Sequence, residues 1–190
     1  MGRKLYQNKY RTDSMRLKGW DYAQNGMYFI TIRTAWKGNI FGQIKNNKMI
    51  LNSLGKITKR FLMDIPFHFP HIILDEFVVM PDHVHAVIII DNSRNNYNLD
   101  AQNRVETQHC CVSTHKTNAS NTFYRLKPRS LPVIIRSYKS ICARTIHENQ
   151  NNKKFKWQSS YYDRIIHDEQ YLQNVRSYIK NNHLKHKNDY

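Results

Sequence analysis

The chain reads as an α+β domain built on a mainly antiparallel sheet. Three observations carry that reading. Runs rich in β-branched and aromatic residues recur at 28–34, 71–80 and 83–91. Apolar residues fall at helical spacing between and beyond them. A bare Pro81-Asp82 turn joins the last two runs, which is how antiparallel neighbours connect.

In chain order, Tyr28-Phe29-Ile30-Thr31-Ile32-Arg33-Thr34 is the first strand. Lys37 to Asn52 carries Gly38, Gly42 and Asn46-Asn47 between short apolar segments, the pattern of a hairpin. Ser53 to Ile65 places Leu54, Ile57, Phe61, Leu62 and Ile65 on one helical face, and Pro66 and Pro70 end that helix. His71 to Met80 and His83 to Asp91 are the second and third long strands. Asn92 to Ser130 is rich in Asn, Ser, Thr and Gln and shows no period, so it reads as a mobile insertion. From Leu131 a helix turns Val133, Ile134, Tyr138, Ile141 and Ile146 inward and carries Arg136, Lys139 and Arg144 on its other face. Phe155 to Ile166 is extended and contains Trp157. Asp168 to His183 is a final helix with Leu172, Val175 and Ile179 inward. The order is close to the ferredoxin-like pattern, and residues 1–190 form one domain interrupted near 92–130.

Thirty Lys and Arg against 14 Asp and Glu give a net charge of +16. A field of that size points to a polyanionic partner, with nucleic acid as the default. Twelve tyrosines, eight phenylalanines and three tryptophans accompany the charge, and rings interleaved with cations are what unpaired bases stack on. No stretch approaches the ~20 apolar residues of a membrane span. The basic N-terminus has no apolar segment of the secretory kind, and three cysteines, an odd number, argue against a disulfide framework. The expected location is the cytoplasm. His109-Cys110-Cys111 and His115 match no standard zinc-finger spacing.

The densest chemical signal is Val79-Met80-Pro81-Asp82-His83-Val84-His85, followed by an aliphatic run. Residues i and i+2 of a strand share a face, so His83 and His85 present two imidazoles side by side. Nothing about a packed strand requires that, whereas a divalent metal does. The final helix supplies a partner pair. Tyr178 and Asn182 are four apart and lie on one face, roughly 6 Å apart along the axis. An asparagine oxygen can complete a two-imidazole site, and a tyrosine one turn away can reach the same phosphorus as a covalent nucleophile. Tyr161, Tyr162 and Tyr171 have Ile165, Ile166 and Val175 at i+4, none of them able to bind metal. Tyr138 has Cys142, a poor match for a hard cation. Geometry favours Tyr178 among these.

These residues resemble the HUH motif of single-tyrosine transposases. Trp157-Gln158-Ser159-Ser160-Tyr161-Tyr162-Asp163-Arg164-Ile165-Ile166, the Tyr178-Ile179-x-x-Asn182 element, Arg16-Leu17-Lys18-Gly19-Trp20-Asp21-Tyr22 and the first strand extend the resemblance. Together they resemble the REP-associated tyrosine transposases, which nick single-stranded DNA near hairpins. The resemblance covers nearly the whole chain outside 92–130. It implies His83, His85 and Asn182 as ligands of Mg²⁺ or Mn²⁺, and Tyr178 as a nucleophile that forms a 5′-phosphotyrosine. It also implies single-stranded DNA with a REP-like or element-end hairpin as partner, a bacterial nucleoid association, and action as a monomer or homodimer. Arg136, Lys139, Arg144, Trp157 and Arg164 are the candidate DNA contacts. Two positions depart from the family: Asp82 stands where Asn is usual, and His183 where Pro follows the asparagine.

Two rival functions follow from other classes. A water-dependent phosphodiesterase would leave Tyr178 structural, but two-histidine phosphoesterases need a second motif that this chain lacks. H-x-H amidohydrolases need a (β/α)₈ barrel of about 250 residues. The other rival is a non-catalytic hairpin-binding protein derived from a transposase.

Overall fold

The computed structural model describes residues 16–36, 38–97, 127–149 and 154–185. Its elements are strand β1 (Gly26–Arg33), hairpin β2 (Gly42–Lys45) and β3 (Lys48–Leu51), helices α1 (Ser53–Met63) and α2 (Ile65–His68), and strands β4 (Ile72–Val79) and β5 (His83–Ile90). A 3₁₀ stretch (Asn92–Tyr97), helix α3 (Leu131–Asn149), strand β6 (Tyr162–Ile166) and helix α4 (Glu169–Lys185) complete them. The main sheet runs β4-β5-β1-β6 with every neighbouring pair antiparallel. With the small hairpin and α2 set aside, this is the expected ferredoxin-like β-α-β-β-α-β order, followed by one extra helix. Most of the expected insertion, including His109-Cys110-Cys111 and His115, lies outside the described residues.

Alternation decides which face each side chain takes. On one face Tyr28, Ile30 and Ile32 of β1 stand opposite Ile88, Ala86 and Val84 of β5, all fully buried. That layer packs against α1 and α3 through Leu62, Leu131, Ile134, Ile135 and Tyr138. On the other face Met27, Phe29 and Thr31 stand opposite Ile89, Val87 and His85. Leu172, Val175 and Ile179 of α4 pack over Val87 and Ile166 there. The sheet therefore has helices on both sides, and the histidine-bearing face belongs to α4.

Several expected boundaries shift, each for a local reason. The Ser53–Ile65 helix stops at Met63, where the Asp64 amide bonds back to Arg60. Pro66 then lies in the first turn of α2, a position where its missing N–H costs nothing. In α3 the buried stripe is Leu131, Ile134, Ile135, Tyr138, Cys142 and Ile146, with Val133 and Ile141 only half-buried beside it. The small apolar Cys142 takes the place assigned to Ile141. The Phe155–Ile166 segment pairs continuously only from Tyr162, and Trp157 makes an isolated bridge to Thr34. Between them the carbonyls of Gln158, Ser159 and Ser160 turn to the Lys139 ammonium at 2.6, 3.1 and 3.4 Å, so they are lost to a ladder. Among the described residues no helix is long and apolar enough to cross a membrane.

The hairpin is locked to α1 by close backbone approach. Asn46 and Asn47 have φ of 49° and 58°, the left-handed pair of a two-residue turn. Asn52 caps α1 by accepting from the Gly55 amide at 2.9 Å, and its own amide group donates to the Ile40 carbonyl. A Cβ on Gly55 would stand 2.1 Å from the Phe41 carbonyl oxygen. Replacing a helical glycine by alanine ordinarily stabilises by up to about 1 kcal/mol. Gly55→Ala is predicted to reverse that sign, lowering stability by about 1–3 kcal/mol through overpacking. Urea unfolding measures it, and a stabilised variant would refute the clash.

Helix α4 is fixed by a bulge in β4. The register of β4 against β5 shifts between Leu74 and Phe77, and both residues within it serve α4. Asp75 takes two bonds from the Arg176 guanidinium, at 2.7 and 3.0 Å, and Glu76 lies 3.5 Å from the Lys180 ammonium. Arg176 and Lys180 are four apart, so both cations lie on one side of the helix. Asp75→Ala is predicted to speed hydrogen exchange at α4 amides while leaving β1 and β5 protected. Equal protection of α4 in both proteins would show that the apolar contacts alone hold it.

Candidate active site

Strand period puts His83 and His85 on the α4 face, and the turn before them is held from three sides. The Met80 amide donates to the His83 carbonyl, the Phe41 amide to the Pro81 carbonyl and the Thr34 amide to the Asp82 carbonyl, at 2.8, 2.8 and 2.9 Å. Both histidines are buried, at 7% and 6% exposure. Their Nε2 atoms converge to 3.1 Å.

Each ring's other nitrogen has an oxygen partner. His83 Nδ1–H donates to the Asp82 carboxylate at 2.6 Å, and His85 Nδ1 lies 2.8 Å from the Thr31 hydroxyl. A carboxylate can only accept, so neutral His83 keeps its proton on Nδ1 and leaves a lone pair on Nε2. Burial, and then the neighbouring His83, push the His85 pKa down to about 3, so this imidazole is neutral at physiological pH. Phe29 stacks on the His85 ring with centroids 5.2 Å apart, which fixes its plane.

From α4, Tyr178 reaches over this pair. Its hydroxyl lies 3.5 Å from His85 Nε2, and its ring meets His85 and Phe29 edge-on at 5.4 and 5.9 Å. The side chain is 38% exposed, so a substrate can approach the phenol. Asn182, one turn on, is buried at 6% and continues the inward stripe of Val175 and Ile179. The helix runs on without interruption to Lys185, and His183, which stands where the resembling transposases have proline, is half-buried on the adjacent face.

Two imidazoles aimed at one point suit a divalent cation. At about 2.1 Å from a shared ion, nitrogens set at right angles stand about 3 Å apart. Among the described residues no group of three His, Cys, Asp or Glu forms a metal cage. Among the described residues the site therefore offers two imidazoles, and the asparagine oxygen of Asn182 is the candidate third ligand. The residues present fit a cation that keeps open positions.

The candidate DNA contacts divide between the two faces. Arg164 is exposed on β6 and stands opposite Phe29, on the face of the histidines. Arg136 and Arg144 are exposed on α3, behind the sheet. Lys139, also on α3, is engaged with the three carbonyls described above. Trp157 packs among Phe41, Tyr138 and Phe155 at centroid distances of 5.3–6.0 Å. The sequence reading did not single out Thr31 and Phe29, the partners of His85. Thr31 is the polar residue within an apolar alternation, which was the available signal.

No protein-family profile matches the chain. An uncharacterized protein of Haemophilus influenzae is 37% identical over 171 residues, spanning 89% of this chain and 86% of its own. Among solved structures, a REP-associated tyrosine transposase bound to a REP hairpin superposes with a TM-score of 0.53. It shares 12% identity and covers 93% of this chain and 75% of that one. A Deinococcus radiodurans R1 protein, provisionally described as a transposase, gives 0.45 at 16% identity over 87% of this chain and 97% of its own. The fold is thus the one seen in a REP-associated tyrosine transposase, as the motifs implied, and the chain belongs to the same family as the Haemophilus influenzae protein.

Proposed function

We propose that the protein is a metal-dependent endonuclease and strand transferase for single-stranded DNA, acting near hairpins as a transposase. The observation that carries this reading is the Tyr178 hydroxyl 3.5 Å from His85 Nε2, with His83 Nε2 a further 3.1 Å away. A phenol beside two converging imidazoles is what covalent phosphoryl chemistry needs and what packing alone does not.

In this reading the Tyr178 oxygen attacks the scissile phosphorus in line as its phenolic proton passes to solvent. The bond from phosphorus to the 3′ oxygen breaks, and that oxygen takes up a proton from solvent to become a 3′-hydroxyl. The product is a 5′-phosphotyrosine, which keeps the phosphodiester energy so that another 3′-hydroxyl can attack and expel the tyrosine without ATP. Mg²⁺ or Mn²⁺, held by His83, His85 and Asn182, would neutralise charge on the phosphoryl oxygens. Asp82 holds His83 in the tautomer that offers Nε2, and Thr31 engages Nδ1 of His85 and so leaves that ring's Nε2 facing the site. The +16 charge supplies the long-range attraction for the strand.

With a labelled hairpin bearing single-stranded arms and Mn²⁺, the protein is predicted to form an SDS-resistant adduct. Tyr178→Phe abolishes it and leaves hairpin binding within about twofold, since only the phenolic oxygen is lost. An adduct that survives in Tyr178→Phe would refute the nucleophile. Binding without any adduct in the unaltered protein would instead support a hairpin-binding descendant of a transposase.

Mn²⁺ affinity, read by calorimetry, tests the ligands. The double variant His83→Ala/His85→Ala is predicted to lose Mn²⁺ binding and nicking together. Asn182→Ala weakens Mn²⁺ binding by about tenfold, at the lower end of what perturbing a metal site costs, whereas His183→Ala changes it little. At ~100° per residue, Asn182 lies about 40° from the Tyr178 direction on α4 and His183 about 140°. The reverse pattern would show a metal site built around a third histidine.

A further inference from the structure

The sheet carries a row of side chains that runs through His85 and on to one the reaction above leaves unused. Thr31 of β1 pairs with His85 on one side and with Tyr162 of β6 on the other. Directly paired residues of antiparallel strands share a face, so Val78, His85, Thr31 and Tyr162 form one line across all four strands on the side of α4. The 2.8 Å contact between Thr31 and His85 confirms the shared face.

The two ends of β6 differ in cover. Ile166, at its far end, is buried under α4 at 3% exposure, whereas Tyr162 is 44% exposed. Two residues along, on the same face, Arg164 is exposed, and across the sheet Arg33 stands opposite His83 with about half its side chain in solvent. An exposed aromatic ring, with arginines on the same face two residues along β6 and two residues along β1 from its partner Thr31, thus stands in line with His85. Two strand spacings separate Tyr162 from His85, roughly 10 Å between Cα atoms. That places the ring beside the nucleotide adjoining a phosphate held at His85 and Tyr178.

We propose that Tyr162 is a stacking platform for the unpaired base next to the scissile phosphate, with Arg164 on the phosphate that follows. The inference rests on the proposed function and names where that strand lies. A ring stacks on any base, so Tyr162 holds the strand in position irrespective of sequence. Arg164 supplies a charge contact on the same strip. The strand runs along the open edge of β6, because α4 closes the opposite side through Asp75 and Arg176. Tyr162 is here a positioning residue, and its hydroxyl has no part in the chemistry.

The test uses the full chain and a fluorescein-labelled DNA hairpin with oligothymidine arms, read by anisotropy. Tyr162→Ala is expected to weaken binding roughly 5- to 150-fold, the value of one stacked base, while Tyr162→Phe stays within twofold. A single abasic site walked along the arm should weaken binding by the unaltered protein at one position, and that loss should vanish in Tyr162→Ala. Thermal unfolding checks that the exposed substitution leaves the fold intact, and Tyr162→Leu serves as a second variant that keeps bulk without the ring. Unchanged affinity in Tyr162→Ala, or abasic and Tyr162 losses that simply add at every position, would overturn the platform while leaving the nicking reaction standing. Loss of the covalent adduct in Tyr162→Phe would overturn it too, by making this residue the nucleophile. No binding of the hairpin by the unaltered protein would remove the DNA reading and the platform together.

Discussion

The site depends on the register of β1 against β5. Sheet period is two, so a slip of one residue would carry every side chain of β5 to the opposite face. His83 and His85 would then point into the layer under α1 and α3. What prevents this is the other half of the alternation. Ile30, Ile32, Val84, Ile88 and Ile90 are buried to within 1%, and each such side chain contributes about 1.5–3 kcal/mol by leaving water. Two histidines have no preference of comparable size. The apolar face thus determines where the imidazoles point, and chemistry sits on the face that packing leaves to it.

On that face, local polar contacts do the fine positioning. Asp82 and Thr31 each engage one ring nitrogen, and Phe29 stacks on His85. Asp82 replaces the asparagine usual in the resembling family, and its carboxylate can only accept from His83 Nδ1–H. The replacement strengthens the preference for a free Nε2. Burial keeps His85 uncharged and therefore available as a ligand. The proposed nucleophile, Tyr178, arrives on a separate element, α4, whose place is set by the bulge carrying Asp75 and Glu76. Two consecutive carboxylates can serve one helix there because the regular alternation of β4 is interrupted.

Much of this was legible in the sequence, because strand and helix periods are local properties. The pairing of His83 with His85, the inward stripe of α4 and the shared side of Tyr178 and Asn182 need no tertiary information. The Asn46-Asn47 turn was equally plain. What escaped were features set by distant partners. Thr31 meets His85 across 54 positions and Asp75 meets Arg176 across 101. Neither separation leaves a trace in a short window. Lys139 reads as a surface cation, yet its ammonium holds three carbonyls of a loop about twenty residues away. The burial of α3 turned on Cys142, which counts as a small apolar residue only once its neighbours are known. Tyr162 was weighed solely as a rival nucleophile, since its place in line with His85 follows from β6 pairing beside β1.

In the proposed reaction the Tyr178 oxygen bonds to phosphorus at a site made by His83 and His85. The most direct measurement is peptide mapping by mass spectrometry of the unaltered protein after reaction with hairpin DNA and Mn²⁺, followed by nuclease trimming of the DNA. The remaining nucleotide is expected on Tyr178, attached through phosphate. Attachment at Tyr162, Tyr161 or Tyr138, or cleaved DNA with no nucleotide on the protein, would contradict it.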